Sequence, residues 1–263
     1  MLTVRPTAEE LTAWRRDHHL VLRGRLPETD VARLRSWVDE LSARPETPGK
    51  WMKYFERTGG NGRQLCRIED FVPYHDGLDD LVRGPATLAL LGELMGEPAA
   101  LFKEKINFKL PGGSGFAAHQ DAPAFVTFQQ RYHITMLIAI DEATMANGCL
   151  EMSDPVDVYT TLPQAPGGHI DSDVERALPW RPVELAPGDV VLFDSYIPHR
   201  SAANRSDRPR RALYVTYNRL SEGDRRDAYF ADKRAHFPPE CERLPGVDYS
   251  ASASVYNLGN PIR

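Results

Sequence analysis

Two stretches of the chain carry side chains that could do chemistry together. In "GGSGFAAHQDAPAF", Gly112 to Phe125, His119 and Asp121 place an imidazole and a carboxylate two positions apart. Along a strand, residues i and i+2 share one face, so both groups can reach one cation. In "PGDVVLFDSYIPHRSAANRSDRPRRALYVTYN", His199 follows a turn and an apolar run and offers a second imidazole. Two imidazoles and a carboxylate on one face of an octahedral ion leave three positions open, an arrangement suited to Fe(II), O2 and a chelating 2-oxo acid. A hydrolytic zinc site needs a single open position for water. The residue types favour iron and keep zinc as the alternative.

The chain has a second His-x-acid pair, His169 and Asp171, but it sits in a Pro/Gly-rich stretch without strand periodicity, and no site is expected there. An anionic cosubstrate needs a cation at its far end, and Arg suits a bidentate grip on a carboxylate. Arg208, Arg210 and Arg211 all lie near the start of "RRALYVTYN", and spacing does not choose among them. Lys105, if its side chain is buried, requires an anion beside it, because an isolated buried charge is costly. A small acidic or zwitterionic substrate follows. Arg67, Lys53, Tyr54, Gln120 and Phe125 are further candidates for the pocket wall; their structural alternatives are core for Phe125, a solvated charge for Lys53, and pairing with Glu69 or Asp70 for Arg67. Tyr132 and Thr135 begin a strand-like run, Thr135 being the better placed for a hydrogen bond to the cosubstrate.

The elements that must position these groups are legible from periodicity. Thr7 and Glu10 form a capping box, and Val31, Leu34, Val38 and Leu41 recur at helical spacing. "LDDLVRG" and "PATLALLGELMG" continue the pattern, with Pro85 and Gly96 as start and stop, so residues 1–98 read as helical. From residue 101 the period becomes two: Phe102, Ile106, Phe108 and Leu110 alternate with Lys103, Lys105, Asn107 and Lys109, with Glu104 the one charge on the greasier face. "YHITMLIAI", "GCLEM", "DVVLFDS" and "RALYVTYN" follow as strands, and residues 155–180 read as a long insertion of the kind that serves as a lid. A helix and an irregular tail occupy residues 221–263. The expectation is one domain, mainly β, with a barrel or sandwich core over about residues 99–220 and helices packed on one side.

Bulk properties narrow the partners. Lys+Arg 32 against Asp+Glu 37 gives a net charge of −5, so no basic excess points to nucleic acid or to an anionic membrane. The longest apolar run, "ITMLIAI", is too short to span a bilayer, and the first ten residues lack an apolar signal core. Cys66, Cys149 and Cys241 are too scattered for a disulfide framework. A cytoplasmic protein with a small-molecule substrate fits, its oligomeric state left open.

Together, "HQD", "NGCLEM", "PGDVVLFDSYIPHRS" and an arginine eleven positions after the second histidine resemble the phytanoyl-CoA dioxygenase family of Fe(II)/2-oxoglutarate oxygenases, over about Leu101 to Asn218. The resemblance implies a double-stranded β-helix (jelly-roll, cupin-like) core, Fe(II), 2-oxoglutarate and O2 as cofactors, and hydroxylation of a C–H bond. It makes His119, Asp121 and His199 the metal ligands, Arg210 the clamp for the distal carboxylate of 2-oxoglutarate, and Ser201 its helper. "KEKINFKLPG" is similar to the strand that in ectoine hydroxylases offers alternate side chains to cosubstrate and substrate, which assigns Asn107, and less directly Lys103, to 2-oxoglutarate and Lys105 to the substrate. "LFKEKINFKLPGG", "HQDAPAF" and "YFADKRAHFPP" look most like the 2-aminoethylphosphonate dioxygenase-like subgroup, implying an aminoalkyl- or hydroxyalkylphosphonate. The alternative is a larger natural-product or carrier-bound acid. One departure stands out: where many members have a PGSH-like turn, this chain reads "MSDPVDVY", which implies a rebuilt pocket mouth.

Overall fold

A computed structural model of the chain describes residues 6–58, 62–257 and 262. The first five residues and most of the tail after residue 257 lie outside the described residues. Helix α1 (Ala8–Asp17) starts at the expected box: the Thr7 hydroxyl accepts from the Glu10 amide, and the Glu10 carboxylate accepts from the Thr7 amide. Strand β1 (His19–Leu22) follows, then α2 (Glu28–Ala43), which buries Val31, Leu34, Val38 and Leu41. Strands β2 (Met52–Thr58) and β3 (Gly62–Glu69) pair antiparallel before α3 (Asp76–Arg83) and α4 (Pro85–Met95). Gly96 ends α4 with φ 75°, a left-handed cap that favours glycine. Residues 1–98 are therefore not wholly helical. Three of the sheet's strands come from them, because tertiary pairing rather than local periodicity fixes β1, β2 and β3.

The second half supplies β4 (Ala99–Lys109), β5 (Phe116–His119), β6 (His133–Ala139), β7 (Leu150–Met152), α5 (Ser172–Ala177), β8 (Arg181–Val183), β9 (Val190–Asp194), β10 (His199–Ser201) and β11 (Arg210–Arg219), followed by α6 (Arg226–His236) and α7 (Ala253–Tyr256). They form a seven-stranded sheet in the order β1-β9-β6-β11-β4-β3-β2 and a four-stranded sheet in the order β5-β10-β7-β8. The pairings are antiparallel. The two sheets close on Leu137, Leu150, Met152, Val191, Phe193 and Ala212, giving the expected double-stranded β-helix. Val38, Leu41 and Leu91 of the helices cover the other face of the larger sheet at Ile106, Met136, Leu192 and Val215. The insertion over residues 155–180 is irregular apart from α5 and is tied to β5 by the Ile170 amide donating to the Ala118 carbonyl at 2.8 Å. All three cysteines are free. Among the described residues no helix is long and apolar enough to cross a membrane.

Strand β4 does most to position the site. Its Lys103, Lys105, Asn107 and Lys109 share one face, while Glu104, Ile106 and Phe108 share the other. Phe102 breaks the expected alternation: the register with β11 slips between Thr216 and Tyr217, and its ring packs with Phe125, His133 and Tyr229 rather than with Ile106. Glu104, the charge on the apolar face, meets Arg226 of α6 at 2.6 Å and accepts from the Val72 amide at 3.0 Å. Burial pushes its carboxyl up to about 7 against the pull of Arg226.

Breaking a buried pair leaves one charge uncompensated and costs about 3–5 kcal/mol, whereas replacing both partners with apolar groups costs far less. Arg226→Leu is therefore expected to lose about that much stability, and Arg226→Leu with Glu104→Leu to recover at least half of it. Urea unfolding of the three proteins reads both values.

Candidate metal centre

His199 on β10 pairs directly across from His119 on β5, so two short strands bring residues eighty positions apart face to face. The imidazole centroids are 4.2 Å apart. Asp121 is not on the strand: it follows β5 in helical backbone and begins a short 3-10 turn, Ala122–Ala124. The turn, not strand alternation, swings its carboxylate to 3.9 Å from the His119 Nε2. Donor atoms of His119, Asp121 and His199 all lie within 4.8 Å of one another, and the three residues are buried.

The donor set fits a divalent cation. Each imidazole has its Nδ1 against a carbonyl, His119 to Ala117 at 2.7 Å and His199 to Ile197 at 3.0 Å, which holds the ring and leaves Nε2 free for an ion. Burial, and then His199, holds His119 down to about 3, and burial also lowers His199, so both rings are neutral donors. Burial opposes ionisation of Asp121, but His199, Lys105 and Lys103 outweigh it and leave the carboxyl below its usual range. Thr135 reaches the Asp121 carboxylate at 3.5 Å and the Thr216 hydroxyl at 3.1 Å, so it touches the acid ligand directly. His169 and Asp171 stay apart from the triad, Asp171 capping α5.

Two cationic clusters lie near this triad, one reached through Ser201, two residues after His199 on β10, and one in the cavity that His119 and Asp121 line. On one side Arg210 donates to the Gly148 carbonyl at 2.9 Å, and Lys109 donates to the Ser201 hydroxyl at 2.7 Å and the Ala202 carbonyl at 2.5 Å. Both cations are buried on neutral acceptors, and burial, then Arg210, pushes Lys109 down to about 6. Ser201 thus sits on Lys109 in this structure, and Lys109 joins Arg210 in the subsite. The Arg210 Nε is a buried donor without a partner, as expected of a group awaiting an acceptor, and the Asn107 Oδ1 is a buried acceptor without one.

On the other side, a cavity of about 20 Å³ is lined by His119 and Asp121 together with Arg67, Glu69, Lys103 and Lys105. Tyr229, Val255 and Tyr256 complete its apolar wall. Arg67 is paired with Glu69 at 3.1 Å and still faces the cavity; Glu69 also takes Lys233. Among the described residues no carboxylate lies within ion-pair distance of Lys103 or Lys105. Burial, then the neighbouring Arg67 and Lys103, pushes Lys105 down to about 7. The Lys103 ammonium lies 4.3 Å over the Phe125 ring.

Other candidates sit elsewhere. Gln120 donates to the Tyr196 and Thr160 carbonyls and accepts from the Leu162 amide, so it fastens the insertion and does not line the cavity. Phe125 is core behind Lys103, and Tyr132 is core under the Arg219 guanidinium. Lys53 donates to the Ser42 and Arg44 carbonyls, and the Tyr54 hydroxyl to that of Phe237. Arg208 reaches Glu142 and Arg211 pairs with Asp141, which leaves Arg210 as the inward arginine. Sequence reasoning missed Lys109, Glu69, Tyr229, Lys233, Val255 and Tyr256. Lys109 alone carried a signal, its place in the β4 alternation.

A model of the family described as "Phytanoyl-CoA dioxygenase (PhyH)" matches residues 14–212. The chain belongs to the phytanoyl-CoA dioxygenase family. Within it, the chain is 52% identical over 258 residues to a 2-aminoethylphosphonate dioxygenase of the uncultured bacterium HF130_AEPn_1, covering 98% of each. It is 44% identical to a methylphosphonate hydroxylase of Gimesia maris, covering 88% of each. A solved structure of EctD from S. alaskensis, with 2-oxoglutarate and 5-hydroxyectoine, superposes with a TM-score of 0.70 at 21% identity, over 82% of this chain and 77% of that one, which supports the shared fold. The family match reaches well N-terminal of residue 101, so the covering helices are part of the family domain and not an addition to it.

His199→Ala removes one of the three donors, and the expected loss of Fe(II) affinity exceeds the roughly 10–100-fold typical of an outer partner. Thr135→Val is expected to fall within that range of about 10–100-fold. Anaerobic calorimetric titration with Fe(II) measures both, with far-UV circular dichroism confirming the fold.

Proposed function

We propose that this chain is an Fe(II)- and 2-oxoglutarate-dependent dioxygenase that hydroxylates a C–H bond of a small phosphonate. The observation that carries the reading is the cavity beside His119 and Asp121, where Lys103 and Lys105 face inward with no acid partner. Both are half-buried and have Asp121 and Glu69 nearby only beyond ion-pair distance, so a ligand that brings negative charge into contact with them is favoured. A doubly charged phosphonate does so, and the similarity to the 2-aminoethylphosphonate and methylphosphonate enzymes points the same way.

With Fe(II), 2-oxoglutarate and O2 bound, the site supplies oxidation of substrate C–H to C–OH, the second oxygen atom going into succinate as carbon dioxide leaves. The residues of the chain do the rest. His119, Asp121 and His199 hold the ion, and Thr135 fixes the orientation of Asp121. Arg210 and Lys109 receive the distal carboxylate of 2-oxoglutarate, Ser201 orients Lys109, and Asn107 offers an amide N–H to the cosubstrate. Lys103, Lys105 and Arg67 grip the phosphonate, so that one C–H bond faces the ion. Tyr229, Val255 and Tyr256 exclude water. Fixed orientation and exclusion of solvent are what a protein adds to cofactor chemistry of this kind.

The test is succinate release and O2 uptake with methyl-, aminoethyl- and hydroxyalkylphosphonates beside carboxylate analogues and carrier-bound acids. Phosphonate-dependent succinate in equal amount to hydroxylated product is expected; stimulation by the larger acids alone sinks the reading. Arg210→Leu is expected to weaken 2-oxoglutarate by about 30-fold or more, the scale of losing a buried charge partner. Lys105→Met is expected to raise the phosphonate KM by a similar factor of about 30 and to leave 2-oxoglutarate binding unchanged. Equal losses for both ligands in either variant would merge the two subsites.

A further inference from the structure

The small cavity beside the metal ligands has a larger neighbour. An outer cavity of about 530 Å³ opens between Pro123, the loop Gln164 to Gly168, and Val255. Val255 lines both cavities, and among the described residues the 3-10 turn after Asp121 contributes Ala124 to the inner one and Pro123 to the outer one. That turn is in contact with α7, so the wall between the cavities is the C-terminal turn Ala253–Tyr256 seated on the segment that carries the acid ligand.

Both sides of this wall are held by hydrogen bonds. The loop is fixed: Gln164 and Ile170 form a bridge, the Ala165 amide donates to the His169 carbonyl at 2.9 Å, and the Ile170 amide ties the strand to β5. The C-terminal turn is a single turn of helix. Tyr256 anchors it, with its ring edge-on to Tyr229, its hydroxyl on Asp232 and its carbonyl accepting from Arg67 at 3.3 Å. Val255, one residue earlier, is only half-buried and carries the branched side chain that separates the cavities. The inner cavity, at about 20 Å³, has room for one ordered water and little more, since one water needs at least about 10–15 Å³ of such space. An alkylphosphonate cannot fit there unless part of the wall yields.

We infer that the turn Ala253–Tyr256 is the gate between the outer cavity and the metal-side pocket, and that Val255 is a specificity-determining residue whose bulk limits the length of the chain beyond the phosphonate. The inference rests on the phosphonate reading for its substrate. Access to the metal through this gate does not. The Arg67 bond to the Tyr256 carbonyl ties the gate to the anion-binding cations, so the closed turn and the filled anion site share a residue.

Two variants of the iron-loaded enzyme, Val255→Gly and Val255→Trp, test it with two readouts. The first is the rate at which 2,2′-bipyridine strips Fe(II): Val255→Gly speeds it and Val255→Trp slows it, each by about fivefold or more, with Fe(II) and 2-oxoglutarate affinities within about twofold of the parent. The second is the ratio of kcat/KM for propyl- over methylphosphonate, which Val255→Gly raises by about tenfold, the discrimination that one or two methylenes give in an apolar contact. Stripping rates and selectivity both within about twofold of the parent in both variants overturn the gate. A parent that gives no phosphonate-dependent succinate overturns the proposed function instead, and the stripping rates then judge the gate by themselves.

Discussion

The pairing of His199 with His119 across β10 and β5 is the contact on which the rest of the site depends. Register in an antiparallel pair has a period of two, so a slip by one residue would turn one imidazole out of the interior and leave no metal site. The register is held from both flanks: β10 also pairs with β7 through His199 and Met152, and the Ser153 amide donates to the Pro198 carbonyl. A bulge between His199 and Ser201 then lets Ser201 turn toward Lys109. The strand that begins at His199 thus also supplies Ser201, the partner of Lys109. The third donor arrives by a different device, a 3-10 turn with Pro123 in its first positions immediately after the strand, which places Asp121 close to the rings without spending strand length.

In the proposed function strand β4 solves a second problem, keeping two anions apart while both remain near one ion. Consecutive residues on one face of a strand are about 6.8 Å apart, twice the rise of about 3.4 Å per residue. Lys103 and Lys105 at one end, Asn107 in the middle and Lys109 at the other therefore spread positive charge along the site at fixed intervals. Such a row of cations, Lys109 buried and Lys103 and Lys105 half-buried, repels itself. The fold offsets this with Glu69, which takes Arg67 and Lys233, and with neutral carbonyl and hydroxyl acceptors around Lys109 and Arg210. Lys103 and Lys105 lack an equivalent, and that residual charge gives the pocket its appetite for an anion. The Glu104 to Arg226 pair on the reverse face locks α6 against the strand, so the wall bearing Tyr229 is fixed to the same β4 that carries the lysines.

Much of this was legible in the sequence, and the reasons for the remainder are physical. His119, Asp121 and His199 were readable because metal chemistry restricts residue type more than spacing, and the alternation of β4 was readable because one face is charged and the other apolar. Arg210 emerged from resemblance to the family; spacing left it level with Arg208 and Arg211, and the pairing of Arg211 with Asp141 separates them only in three dimensions. Strands β1, β2 and β3 were lost inside a helical reading because β1 has four residues and gains its identity by pairing with β9, while "GGNG" between two alternating runs was the overlooked hairpin signal. Phe102 was misassigned because a bulge leaves no mark in the residue pattern. Gln120, Phe125 and Tyr132 were drawn toward the pocket by adjacency along the chain, whereas their side chains serve the insertion and the core.

The remaining distinction, between residues that bind and residues that support, follows from where each hydrogen-bonding group is already spent. The amide of Gln120 is engaged at both ends by backbone groups, and the ammonium of Lys53 by two carbonyls, so both are committed to holding the chain and not to the cavity. Asn107 and Arg210 keep a buried polar atom without a partner, and an unpaired buried group persists only if something else satisfies it. Arg67 is intermediate: Glu69 and the Tyr256 carbonyl hold one of its nitrogens, while its Nε is unpartnered. It therefore reads as a group half committed to the protein and half to an anion. A residue in that position couples whatever fills the pocket to the turn that covers it. The sequence could not reveal this, because Tyr256 contributes through its backbone carbonyl, a group every residue type carries.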